Sequence, residues 1–273
     1  MMALSLTLLA LAGTAHAQAG TVEFNVVVTP ASGHPEPVRG QMIYLLRRSF
    51  EEIRKQAEAA EPKPDLDKFI HGLEVSDELK AWMKKQRTTT IIGEPFHRLL
   101  TADDLIHVPE FLSAYVEANL TEAEADIGFP KPKYRLKDKT AKPAKYEQDR
   151  KTYFDALRKY FEKNPHSVDT VDVYLEEFDH TGAWDRLMAG WQRRVDERAI
   201  QKAQSREFVA KAETDLQGRG KFEPPPGTYW ITTLEGQALA GEVHMHWDLP
   251  LIVEAGRITR VELSNVNAER SAH

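Results

Sequence analysis

The sequence predicts an α+β protein in which a seven-stranded β-sandwich is interrupted after its second strand by an α-helical subdomain. Three observations carry this reading. Apolar residues alternate with period two near both ends of the chain, they recur with helical spacing from about 49 to 204, and Pro- and Gly-rich turns punctuate the β segments. The expected organisation is a signal segment over 1–17, a discontinuous sandwich over 18–48 and 205–273, and a helical insertion over 49–204.

The elements follow in order. Leu4 to Ala12 is an apolar run ending in Ala15, His16 and Ala17, the small-residue pattern of an export signal cut near Ala17. About nine apolar residues are too few to span a bilayer, which needs roughly 20. In Thr21–Thr29, Val22, Phe24, Val26 and Val28 share one face and Glu23 and Asn25 the other, as in a half-buried strand. A loop containing Pro30, Pro35 and Pro37 follows, then Val38–Leu46 alternates again. Ser49 and Glu52 have capping-box spacing and open the helical region. Thr101 and Asp104 form a similar helix start. Apolar stripes at helical spacing comprise Leu79, Trp82 and Met83; Phe111, Leu112, Tyr115 and Val116; Tyr153, Phe154, Leu157, Tyr160 and Phe161; and Trp184, Leu187, Met188, Trp191 and Val195. Beyond Ser205 the period returns to two, giving five strands around 207–213, 221–223, 228–234, 242–254 and 257–264.

Composition excludes whole classes. The 273 residues contain no cysteine, so no disulfide framework exists, and in an oxidising compartment packing alone must hold the fold. With 36 Lys+Arg against 42 Asp+Glu, a formal charge of −6 argues against a globally basic nucleic-acid binder. Charge is unevenly placed. Residues 91–127 carry eight acidic side chains and one basic, whereas 128–163 carry twelve basic and five acidic. Prolines at 130, 132 and 143 argue against a regular helix there and for an extended surface arm. Lys131, Lys133, Arg135, Lys137 and Lys139 are its candidate contacts for an anionic partner, or for the acidic block before it.

The C-terminal third carries a recognisable text. Thr214, Asp215, Gly218 and Phe222 stand as T-D-x-x-G-x-x-x-F, followed by Pro225, Pro226, Gly227, Thr228 and Tyr229 as P-P-G-T-Y. With the run Pro37 to Leu46, this resembles the carboxypeptidase regulatory-like domain, a prealbumin-like β-sandwich. Gly218 and Gly227 suit turn positions with φ > 0. The resemblance covers about 100 residues and departs from the family in one respect, the long insertion after the second strand. It implies a fold and an accessory role in contacting protein or carbohydrate; it implies no peptidase activity.

Candidate chemistry is sparse. On a strand, His244, His246 and Asp248 share one face, and two histidines about 6.5–7 Å apart can chelate zinc. A solvent-facing polar stripe explains the same residues without a metal. No H-E-x-x-H, G-x-S-x-G or phosphate-loop motif occurs. The acidic run from Asp169 to Asp179 could offer a carboxylate pair, but its members fall on several helical faces. Trp230, opposite in phase to Tyr229 and Ile231, is a candidate contact aromatic. The expectation is therefore an exported, periplasmic or secreted, non-catalytic binding or scaffolding protein of the cell envelope. Its ligand would be a protein or glycan, with no cofactor, no nucleic acid and no transmembrane segment in the mature chain. The alternative is a metal-dependent hydrolase with a zinc site at His244, His246 and Asp248.

Overall fold

The computed structural model describes residues 18–30, 33–121, 128–234, 238–240 and 243–270; the expected signal segment lies outside them. The fold is α+β, in two compact units comprising residues up to 62 together with 192 onward, and residues 63–191. Both boundaries fall inside the interval 49–204 rather than at its ends. The reason is that the first helix of the insertion and the last part of its final helix pair with one another inside the β unit: Arg54 bonds Asp196 at 3.0 Å, and Glu61 is paired with Arg194 and Arg198.

The β unit contains β1 (Thr21–Val28), β2 (Glu36–Pro37), β3 (Met42–Leu46), α1 (Phe50–Ala60), β4 (Phe208–Glu213), β5 (Arg219–Phe222), β6 (Gly227–Thr232), β7 (Ala238–Ala240), β8 (Val243–His246), β9 (Asp248–Val253), β10 (Ile258–Leu263) and β11 (Glu269–Arg270). Eleven strands thus form among the described residues, where seven were expected. Strands β2, β7 and β11 are two or three residues long, and the single strand expected over 242–254 is two, broken at Trp247. One sheet sets β1 between β10, which is parallel to it, and β5 and β2, which are antiparallel. A second has the antiparallel order β4-β3-β6-β9, and a third is β11-β8-β7.

The alternation of β1 is realised without exception: Val22, Phe24, Val26 and Val28 are buried, and the residues between them are only partly so. They share one core with Ile43 and Leu45 of β3, Tyr229 and Ile231 of β6, Leu251 and Val253 of β9, Leu263 and Trp247. β3 departs from simple alternation, because Tyr44 and Leu46 are as enclosed as Ile43 and Leu45. In register with Tyr44 stand Thr232 and then Asp248, and the first turn of α1 is bonded to Asp248 on that outer face. Gly218 has φ +76°, and a Cβ there would lie 2.5 Å from the Val26 carbonyl oxygen, so glycine is required at this turn. Gly227 does not adopt positive φ; a Cβ would instead meet the Tyr229 hydroxyl at 3.2 Å and its ring at 3.3 Å, so its small size serves close approach.

The helical unit holds α2 (Leu66–His71), α3 (Asp77–Gln86), α4 (Gly93–Leu99), α5 (Ala102–His107), α6 (Pro109–Thr121), α7 (Asp138–Ala141), α8 (Pro143–Lys163), α9 (Asp172–Leu175) and the start of α10 (Thr181–Lys202). The predicted stripes supply its core, including Leu79, Trp82, Met83, Phe111, Tyr115, Tyr153 and Leu157. Trp82, Phe96 and Phe111 meet edge-on or tilted at centroid separations of 5.1–5.7 Å. The Thr101–Asp104 capping box forms in full. The stripe on α10 is less enclosed than its spacing suggests, since Trp191 is buried but Leu187 is 42% exposed. No helix among the described residues is long and apolar enough to cross a membrane.

Candidate functional site

One member of the expected metal cluster, Asp248, has another task. Asp248 opens β9 on the outer face of its sheet, where its carboxylate accepts from Ser49 Oγ at 2.5 Å, from the Phe50 amide at 3.0 Å and from the Glu51 amide at 3.1 Å. Ser49 Oγ in turn accepts the Glu52 amide at 3.1 Å. Two residues 199 positions apart therefore cap one helix, placing a negative charge at its positive end. Only half of the expected capping box forms, because Glu52 pairs with Arg48. His244 stands on β8 with its side chain outside the described set. No group of three or more His, Cys, Asp or Glu side chains suited to a metal ion occurs among the described residues.

His246 is half-buried against the Phe50 ring, at 5.8 Å between centroids, and its Nδ1 lies 2.7 Å from Thr233 Oγ1. Burial pushes its pKa below the ordinary imidazole value; Asp248 and Glu51 oppose this shift and Arg54 reinforces it. The unfolded chain therefore binds a proton that the folded chain resists. Stability is complete above the unfolded value of about 6.5 and is lost as pH falls from there through the depressed folded value. Urea midpoints taken from pH 7.5 downward should show this loss, and His246→Gln should remove that part of it. Identical pH slopes for parent and variant would show that the imidazole is uncoupled from folding.

The other sequence-predicted residues are placed as follows. Trp230 is half-buried on the outer face of β6, in register between Leu46 and Pro250. The basic arm has no regular secondary structure from Phe129 to Arg135, then turns into α7, with Pro143 as the first residue of α8. The proline argument against helix thus holds for 129–135 and fails from Asp138 onward. Lys131, Lys133, Arg135, Lys137 and Lys139 are all exposed. In the acidic run, Asp172 accepts the Gly93 amide and meets His97 Nε2 at 2.7 Å, while Asp179 accepts the Ile91 amide. These carboxylates pin the segment leading into α4.

A different site emerges on the solvent face of the sheet formed by β10, β1 and β5. A concavity of about 730 Å³ is lined there by residues including Glu23, Asn25, Arg219, Lys221, Arg260 and Glu262, with Asp215 at one end. Strand register arranges them in two cross-strand rows. The first is Arg260, Glu23 and Lys221; the second is Glu262, Asn25 and Arg219. Neighbouring strands lie about 4.8 Å apart, so each row presents three polar heads across roughly 10 Å.

The two rows differ electrostatically. In the first, Arg260 Nε bonds Glu23 at 3.2 Å, and Lys221 bonds Glu223 at 2.6 Å. In the second, neither Arg219 nor Glu262 has a side-chain ion-pair partner among the described residues, and Asn25 Oδ1 is buried without a hydrogen bond. A buried acceptor lacking a donor costs about 1–3 kcal/mol, and an Asn25 amide turned to present Oδ1 to a ligand O–H or N–H in the groove recovers that cost. The row thus offers a guanidinium, an amide and a carboxylate side by side. Such a set can donate to and accept from hydroxyls, amides and charged groups.

Asp215 helps to shape the end of the groove. Its Oδ1 accepts the amides of Gln217 at 2.9 Å and Arg219 at 2.8 Å, fixing the turn that aims β5. Gly220 admits the Phe24 ring beneath the groove, since a Cβ there would lie 2.1 Å from that ring. The alternation that placed Glu23 and Asn25 opposite the core also put Arg219 and Lys221, and Arg260 and Glu262, on outward positions of their strands. The sequence carries no signal that these three strands lie side by side. Comparison with protein-family models, curated proteins and solved structures returns no match for this chain.

Proposed function

We propose that the chain is an exported, non-catalytic binding protein of the cell envelope, built on a prealbumin-like sandwich. It holds a polar chain, a glycan or a segment of another protein, in the groove over β10, β1 and β5. The observation that supports this reading is the row of Glu262, Asn25 and Arg219, whose polar groups line a 730 Å³ concavity and leave hydrogen bonding incomplete in the free protein. Structural charges on a sheet face normally pair across strands, as Arg260 and Glu23 do. An unpaired row beside a paired one is the pattern expected of a surface completed by a ligand.

The test is calorimetric titration of the chain from Gln18 onward with soluble cell-wall glycan fragments and, separately, with a panel of unstructured peptides. One class should bind saturably, and Arg219→Ala with Glu262→Ala should weaken that binding at least tenfold. Both side chains are on the surface, so unfolding free energy should stay within about 0.5 kcal/mol of the parent. Failure of both ligand classes to bind, or binding indifferent to the double substitution, would remove the groove from the account.

A further inference from the structure

We infer that the basic arm of the helical unit is a docking surface for an anionic phospholipid bilayer, with Leu136 as its inserting residue. The arm is held in place by aromatic anchors. Phe129 is 4% exposed, with its ring 5.1 Å from Tyr160 and 5.8 Å from Tyr115, and Tyr134 lies 5.3 Å from Tyr146 and 5.8 Å from Tyr153. The tip is a hydrogen-bonded turn, in which the Asp138 amide donates to the Arg135 carbonyl at 2.8 Å and the Lys139 amide to the Leu136 carbonyl at 3.1 Å. Backbone order is therefore already present before any partner arrives, which lowers the entropic cost of binding.

The side chains on this frame have a specific arrangement. Leu136 is 80% exposed at the turn, flanked by Arg135 and Lys137, with Lys133 and Lys139 beyond them and Lys142 and Lys145 following. Among the described residues, Lys133, Arg135, Lys137 and Lys139 have no ion-pair partner. Asp138, the one acidic residue of the turn, is half-buried. A soluble polyanion would be satisfied by the cations alone and would gain nothing from Leu136. A bilayer uses both, because cations contact the headgroups while their stems and the leucine enter the apolar boundary.

The experiment is co-sedimentation of the chain from Gln18 onward with vesicles of mixed phosphatidylglycerol and phosphatidylcholine, against vesicles of phosphatidylcholine alone, at low and high salt. The parent should partition onto the anionic vesicles, less so at high salt, and remain in solution with the neutral ones. Lys133→Gln, Arg135→Gln and Lys137→Gln together should lower the partition coefficient about 100-fold, at roughly fivefold per cation. Leu136→Ser should lower it about tenfold at unchanged charge. All are surface positions, and matching thermal unfolding of the variants verifies the fold. A parent that stays in solution with both vesicle types, or binds both equally, overturns the inference, as does a charge variant that binds like the parent. If Leu136→Ser binds as the parent does while soluble dextran sulfate displaces both, the partner is a polyanionic chain and the bilayer assignment is wrong.

Discussion

Trp247→Ala should lower the unfolding free energy by about 4 kcal/mol, within the range for emptying a fully buried aromatic site. Trp247 has no exposed surface and stands between β8 and β9. Its backbone leaves the ladder there: its amide donates to Thr233 Oγ1 at 3.3 Å, and its carbonyl accepts the Thr233 amide at 3.2 Å. The indole Nε1 donates to the Ser264 carbonyl at 3.0 Å, just beyond the end of β10. One side chain thus fills the core and ties the strand break to the segment after the last long strand. Trp247→Phe keeps much of the apolar contact and loses the indole hydrogen bond, so it should cost about half as much. Urea unfolding of the two variants checks this, and an alanine variant within about 1 kcal/mol of the parent would show that the site collapses freely around the gap.

The same residue shows what the sequence could and could not disclose. Met245, Trp247, Leu249, Leu251 and Val253 continue one alternating pattern across 242–254, and the pattern is correct, since Met245, Trp247, Leu251 and Val253 are buried. Period two reports which face is apolar, however, and is blind to where ladder bonds stop. At the break, Trp247 bonds Thr233, just past the end of β6 and distant in sequence. The groove was hidden for a related reason. Each strand's outward polar residues were legible, but the lateral order β10-β1-β5 includes a parallel pair between the first and last long strands, and that pairing is a tertiary fact. Local signals fared better: the Thr101 capping box and the buried faces of α3, α6 and α8 follow from spacing within single helices. Where a local signal had a competitor, near or far in sequence, it yielded. Glu52 turned to Arg48, and the position next to its helix start was taken by Asp248.

Asp248→Ala should cost about 3 kcal/mol, because it removes the acceptor for two amides and one hydroxyl at the first turn of α1, one of them at 2.5 Å. Asp248→Asn keeps a carbonyl acceptor but loses the charge, and should cost about half as much. Ser49→Ala should cost about 1 kcal/mol, and its effect should not add to that of Asp248→Ala, since the two side chains share one hydrogen bond and one helix end. A thermodynamic cycle over the two positions measures that coupling. The same experiment separates a capping carboxylate from a metal-binding one. If Asp248 acts as a helix cap, a strong chelator leaves the parent's unfolding midpoint unchanged, and the deficit of Asp248→Ala persists with and without added zinc. If the chelator lowers the parent to the level of the alanine variant and zinc restores it, the stability carried by Asp248 passes through a bound ion. In that event the hydrolase reading, with His244 and His246 beside it, moves ahead of the binding module.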